Sequence, residues 1–309
     1  SQSPSILESE TSQDLLDIMG NLSYDDSDFT FLDDSNITFL DYDAAPCHNQ
    51  YCPFFQRVAP TFLAVTCAVA AVGTVALLVA LVKRPHCWGW PQSRALVAQL
   101  AVGTGLFAAL LPAVAIGIGQ GWRLGSGLCR LTHLLWHWSL FVQGLLVGSG
   151  SCSTVWCRWD PRSRRLAVAV WAGALVLATP AALAGGTVAA PETSCIRRSV
   201  DVLSPAYLLP LTFCLCLFLL LPAALLVAML AVPQLRAGWE PGMAVSWLFF
   251  VLWMPHGVGL AMDFLLHAQL LQPTCLTFER FDYALGLSEG LGVLHCGLGP
   301  AVLLATRLR

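Results

Sequence analysis

Seven long apolar stretches divide this chain, at roughly Val58–Val82, Ala95–Ile118, Leu128–Ser151, Leu166–Val188, Pro205–Val232, Met243–Leu266 and Tyr283–Thr306. Each reaches the ~20 residues that a helix needs to cross the hydrocarbon core of a bilayer. The third differs from the rest. Its run from Leu131 to Val147 is interrupted by His133, His137, Gln143 and small residues, which reads as a span with a polar stripe. Pro112, Pro180, Pro222, Pro255 and Pro300 fall inside spans, where a proline kinks a helix and neighbouring groups satisfy the freed carbonyls. The fold class predicted is an all-α membrane protein, a seven-transmembrane helix bundle over residues 47–309. A disordered acidic tail over residues 1–46 precedes it.

Composition agrees with the pattern. Apolar residues make up 56% of the 309 and charged residues 11%, far fewer than in a soluble domain. The charge is segregated. Residues 1–46 hold 11 of the 19 acidic residues and no Lys or Arg, and such a polar stretch cannot bury enough surface to order itself. Asn21-Leu22-Ser23 and Asn36-Ile37-Thr38 in this tail are glycosylation acceptor patterns, which need an extracellular location. An odd number of spans places the two ends on opposite sides. Lys83, Arg84, Arg94, Arg158, Arg162, Arg164, Arg165, Arg236, Arg307 and Arg309 all fall on the face away from the tail, opposed only by Asp160 and Glu240. The excess of basic residues makes that face cytoplasmic and the tail extracellular. The chain opens without an initiator Met or a signal sequence, as expected of a trimmed sequence.

The twelve cysteines sort by side. Cys47, Cys52, Cys129, Cys195 and Cys275 fall outside, where disulfides persist. Cys67, Cys152, Cys214, Cys216 and Cys296 lie in or at the ends of spans and read as small buried apolar residues. Cys87 and Cys157 are near the cytoplasmic face, where a thiol stays reduced or takes an acyl chain. Connectivity does not follow from sequence alone. Cys129 with Cys195 is the first pair to expect, leaving Cys275 to Cys47, with Cys52 as the substitute. No nucleotide loop, hydrolase elbow or kinase set is present, so no enzyme activity is expected. His133 and His137, four apart on one helix face, lack a third ligand and read as packing or pocket lining rather than a metal pair. Neither a metal nor a cofactor is expected.

Several landmarks stand at fixed spacing: Trp171 and Pro180 in the fourth span, Pro222 in the fifth, Leu252-Trp253-Met254-Pro255 in the sixth and Pro300 in the seventh. In these the chain resembles the rhodopsin-type receptors. Pro112, and a second outer bridge from the tail to the seventh span, make it similar to the chemokine receptors. Glu289, eleven residues before Pro300, matches the acidic residue such receptors use in their ligand pocket. The strings Ala45-Pro46-Cys47-His48, Ala98-Gln99-Leu100-Ala101-Val102-Gly103, Trp253-Met254-Pro255-His256-Gly257-Val258 and Leu294-His295-Cys296 resemble the atypical chemokine receptors of the Duffy-antigen type. The chain is identified as a divergent member of that group.

The departures from the wider family bear on function. Ser153, Thr154 and Val155 stand where signalling receptors place an Asp-Arg-Tyr triad. Thr104 replaces the aspartate of the family's sodium site, Thr74 replaces the first-span asparagine, and Gly299-Pro300-Ala301-Val302-Leu303 replaces Asn-Pro-x-x-Tyr. A polar network that toggles between states is expected to have given way to small and apolar groups. The resemblance therefore implies a receptor that binds inflammatory chemokines of the CC and CXC classes without a G protein, and sequesters, internalises or transcytoses them. A conventional coupled chemokine receptor is the alternative. A transporter is the second, lacking internal repeats, paired broken helices and a charged pathway at mid-membrane.

Candidate ligand-binding residues are Asp25, Asp26, Asp41, Tyr42, Asp43, Asp263 and Glu289. An acidic tail raises the encounter rate with basic ligands. Tyr24 and Tyr42 are flanked by acids and are sulfotyrosine candidates. Asp263 reads equally as a hydrated residue at the mouth, and His256, next to the kink proline, reads slightly more readily as a core histidine than as a ligand residue. Expected surroundings are membrane lipid, the plasma membrane with passage to endosomes, and homo- or hetero-oligomers with other chemokine receptors. No nucleic acid is expected.

Overall fold

The computed structural model describes residues 52–84, 91–153, 164–189, 193–197, 203–232, 246–272 and 274–307. The tail over 1–46 lies outside the described residues, and with it Asn21, Tyr24, Asp25, Asp26, Asn36, Asp41, Tyr42 and Asp43. Helices α1 (Cys52–Lys83), α2 (Pro91–Gln120), α3 (Gly125–Ser153) and α4 (Arg164–Ala184) come first. An antiparallel hairpin follows, β1 (Gly185–Ala189) with β2 (Thr193–Arg197), in a register that sets Thr187 opposite Cys195. Then come α5 (Pro205–Ala231), α6 (Leu248–His267) and α7 (Cys275–Thr306). Neighbours in sequence pack against each other, α7 returns onto α1 and α2, and α3 touches α2, α4, α5 and α6.

Among the described residues six helices are long and apolar enough to cross a membrane. The exception is α3, which is long enough at 29 residues but carries the polar stripe. Its place in the bundle explains this. Every residue from Ser139 to Gly144 is buried, so α3 is surrounded by protein rather than lipid and its polar groups find partners there.

The expected span ends need three corrections. The fourth helix stops at Ala184 rather than Val188. Gly185-Gly186 is a poor helix continuation, and the β-branched Thr187 and Val188 go into the hairpin. The seventh begins at Cys275 rather than Tyr283, its N-terminus capped by Thr274, whose Oγ1 accepts from the Thr277 N–H at 3.3 Å. Charged Glu279, Arg280 and Asp282 are thus helical, in a turn or two that hydropathy reads as loop. The first helix likewise starts at Cys52, six residues before Val58. Residues 233–245, which include the expected start of the sixth span, are outside the described residues.

In α5 the segment Cys216–Leu220 is a π turn. Pro222 has no N–H to give to Phe218, and the Leu221 N–H reaches back five residues to the Cys216 carbonyl. The wider turn carries Phe218 into the core. There it lies with Phe107, Leu111, Val142, Phe250 and Trp253, all fully buried. Without water to expel, such a core is held by close packing. Trp138 of α3 donates from Nε1 to the Trp171 carbonyl on α4 at 3.0 Å, and Trp171 donates to Gln99 Oε1 on α2 at 3.3 Å. The fourth-span tryptophan therefore ties three helices.

Candidate ligand cavity and the polar relay beneath it

A cavity of about 450 Å³ opens in one half of the bundle, lined from α2, α3, β2, α5, α6 and α7. The hairpin reaches it because Cys195 of β2 is bonded to Cys129, one turn above His133 in α3. The Arg130 Nε–H donates to the Gly185 carbonyl at 3.3 Å, fixing the other strand. Gly185 is needed at this point, since a Cβ there would lie 2.7 Å from His133 Cδ2. Trp122 forms another part of the wall. Its indole is buried, donates to the Gly125 carbonyl at 2.8 Å, and packs so tightly on Gly117 that no side chain fits between. Nothing in the sequence pattern had marked Trp122, which sits between two spans.

The polar groups of the cavity are few. His133 and His137 contribute from α3, with ring centroids 6.4 Å apart, His256 from α6 and Glu289 from α7. His137 Nδ1 is 2.8 Å from the His133 carbonyl, and the Ser288 hydroxyl lies 3.4 Å from His256 Nδ1 while donating to the Leu285 carbonyl at 2.7 Å. His256, for which the sequence slightly favours a core histidine, lines the cavity. No Lys or Arg is among the lining residues, so Glu289 sets the sign of the field and the cavity suits a basic ligand. Cys129, His133 and Cys195 bring three metal-ligating residues close together, but the two sulfurs are bonded to each other, which leaves one donor.

The sequence-derived residues are only partly brought together. Glu289 is an exposed wall residue of the cavity. Asp263 is not among its lining: it is paired with His267, one turn further along α6, at 3.2 Å. Cys275 is disulfide-bonded, and the expected choice between Cys47 and Cys52 falls outside the described side chains. Among the described residues Cys67, Cys216 and Cys296 are free thiols. Helix α3 ends at Ser153, and Thr154 and Val155 lie outside the described residues.

Trp253 floors the cavity. It stacks on Phe218 at 5.1 Å between centroids with a 9° interplanar angle, and meets Phe107 edge-on at 6.2 Å. Below it the expectation of an apolar replacement core is corrected. The Trp253 Nε1–H donates to His295 Nδ1 at 3.0 Å, a nitrogen that also lies 2.7 Å from the Gly292 carbonyl, and the indole being a donor only assigns the ring proton to Nε2. That proton goes to Gln143 Oε1 at 3.0 Å, and the same oxygen accepts from the Thr104 hydroxyl at 3.0 Å. Gln143 Nε2 donates to the Ser139 carbonyl at 3.2 Å. Thr104, Gln143 and His295 are all buried, so α2, α3, α6 and α7 are joined by a neutral hydrogen-bonded relay. One residue of the relay, Thr104, was singled out by sequence, but only as a loss. Gln143 was marked only as part of the third span's polar stripe and His295 only within a string of the family resemblance, neither as a partner of the other. A small cavity of about 40 Å³ adjoins the relay, lined by Thr104, Gln143, Ser246 and His295 among apolar groups.

No family model matches the chain. Curated relatives do. An atypical chemokine receptor 1 of Macaca mulatta is 34% identical over 307 residues, covering 95% of this chain and 86% of the relative. Its counterpart from Homo sapiens is 33% identical, covering 84% and 76%. That from Mus musculus is 29% identical, covering 84% and 77%.

Proposed function

Because the chain belongs to the atypical chemokine receptor 1 family, the Duffy-antigen type, we propose that it is a plasma-membrane chemokine receptor that captures its ligands without activating a G protein. The acidic amino-terminal tail, outside the cell, meets basic chemokines of the CC and CXC classes first. Sulfation of Tyr24 or Tyr42 adds charge to it. The bound ligand then reaches the cavity in which Glu289 is the anionic group, and the complex is internalised to endosomes or carried across the cell.

One observation carries the uncoupled reading. The positions that hold charge in signalling receptors are neutral here, from the Ser153-Thr154-Val155 triplet of the sequence to Thr104 in the relay with Gln143 and His295. An arginine and its acid are both missing from the place where a G protein would be engaged. The membrane-spanning helices of this chain and the receptor relatives it matches support a receptor over an enzyme, and Glu289 as the one carboxylate among the described residues lining the cavity gives no charged path of the kind a transporter uses.

The test measures binding and signalling on the same cells. Labelled inflammatory chemokines of both classes are added at low and raised salt, with G-protein activation recorded in parallel. Saturable binding that weakens with salt and no G-protein response is the expected result. Robust activation would overturn the uncoupled reading. Absence of chemokine binding would overturn the ligand class.

A further inference from the structure

A second concavity lies between α1 and α7, apart from the ligand cavity, with a volume of about 630 Å³. Two contacts frame it. At one end Phe54 and Phe55 of α1 meet Tyr283 of α7 with centroids 5.6 and 5.5 Å apart, and Phe55 lies over Gly286. At the other end the helices touch through glycine: Val69 against Gly297 and Gly73 against Pro300, each with room for no more than a Cβ at 3.3 and 3.2 Å. Between these contacts α1 passes Pro60 and α7 is interrupted at Leu294, and a Cβ on Gly290 would lie 3.8 Å from Phe62. The opening is lined by Val58, Phe62, Val65, Val69 and Leu298, with Arg57 at the end beside the aromatic contact. Val65 is 59% exposed and Val69 51% exposed, as befits a surface wetted by hydrocarbon.

We propose that this groove holds one acyl chain of a glycerophospholipid, with the lipid phosphate on the Arg57 guanidinium. Three observations select that occupant. From Arg57 to Val69 the groove runs roughly 18 Å along α1 at 1.5 Å per residue. That is close to the ~15 Å depth of one leaflet, half of a hydrocarbon core of ~30 Å. Its walls are largely apolar: of the two threonines lining it, Thr66 gives its hydroxyl proton to the Phe62 carbonyl of its own helix at 2.8 Å, and Thr61 is exposed. At the membrane-surface end stands a guanidinium with no acidic partner among the described residues, a donor fork suited to a phosphodiester. An arginine that only snorkels to the surface needs no groove one leaflet deep beneath it. The site is independent of chemokine binding.

Native mass spectrometry of the receptor, purified in mild detergent and supplied with palmitoyl-oleoyl phosphatidylcholine, its phosphatidylglycerol analogue and a sterol, tests the assignment. Wild-type receptor is expected to retain one phospholipid of either headgroup in preference to the sterol. R57Q is expected to lower retention about tenfold, the loss of one charge-assisted contact. V65W, which fills the groove and leaves the charge in place, is expected to abolish retention, while R57K keeps most of it. Unchanged thermal unfolding of each variant shows that the fold persists. Retention of the sterol instead, retention that follows only the bulk lipid ratio, or equal retention by wild type, R57Q and V65W would each overturn the proposal. So would a groove that takes up no lipid because the acidic amino-terminal segment covers it.

Discussion

At Gln143 one side-chain oxygen accepts from two other helices at once, from the Thr104 hydroxyl on α2 and from His295 Nε2 on α7. Removing it strands two buried donors. Gln143→Leu is therefore expected to lower stability by about 1–3 kcal/mol, the desolvation of groups left without partners. Thermal unfolding of the purified receptor measures this. Gln143→Leu combined with His295→Phe should lose less than the two single changes summed, since the second change removes a group the first had already stranded. Additive losses would show that the two residues do not act as a pair. Glu289 makes the opposite kind of contribution. Being exposed in the cavity wall, its charge is partly screened, so Glu289→Gln should weaken chemokine binding only about fivefold, and less in raised salt. Asp263→Asn should change binding little, because that carboxylate is engaged with His267. A cell-binding titration of the two variants side by side distinguishes them.

Between α6 and α7 the decisive feature is the absence of a side chain. A Cβ on Gly292 would stand 2.6 Å from Trp253 Cδ2, and the indole cannot yield, since it is stacked on Phe218 and bonded to His295. Gly292→Val is expected to destabilise by about 1–3 kcal/mol through overpacking, read as a lower unfolding temperature. Gly299→Ala, a few residues along α7 where nothing lies within 4 Å, serves as the tolerated control. The elements themselves were largely legible, because a bilayer demands long apolar helices and hydropathy reports them directly. Their ends were less so. Glu279, Arg280 and Asp282 read as loop, yet a threonine cap and a cysteine tie are enough to start α7 at Cys275. The hairpin was missed for a related reason: Thr187 and Val188 look like the tail of a span, and only the bond from Cys195 to Cys129 explains why a strand forms there. Of the site, Glu289 was legible as an intramembrane charge, whereas Gln143 and His295 matter through their partners on distant helices, which spacing along one chain cannot display.

Across the whole bundle, the relay changes what the middle of the molecule can hold. In the receptors this chain resembles, the second-span aspartate is an anchor for sodium; here Thr104 stands in its place with its proton committed to Gln143. A hard cation needs several oxygen ligands and usually a carboxylate among them. The cavity of about 40 Å³ beside the relay is lined by Thr104, Gln143, Ser246 and His295 but by no acid. A sodium ion placed there would be a buried charge without a counter-charge, which a low-dielectric interior strongly disfavours. Replacing sodium by choline at constant ionic strength should therefore leave both chemokine affinity and thermal stability unchanged. Thr104→Asp turns the same reasoning around. The new carboxylate would be buried beside Gln143 and, with nothing to neutralise it, should destabilise the receptor in choline. It should recover part of that loss in sodium, giving a sodium-dependent rise in unfolding temperature that the wild type lacks. A wild-type receptor already stabilised by sodium over choline would show instead that the neutral groups suffice for a cation, and that the centre of the bundle keeps the ion-linked switch which its sequence has otherwise lost.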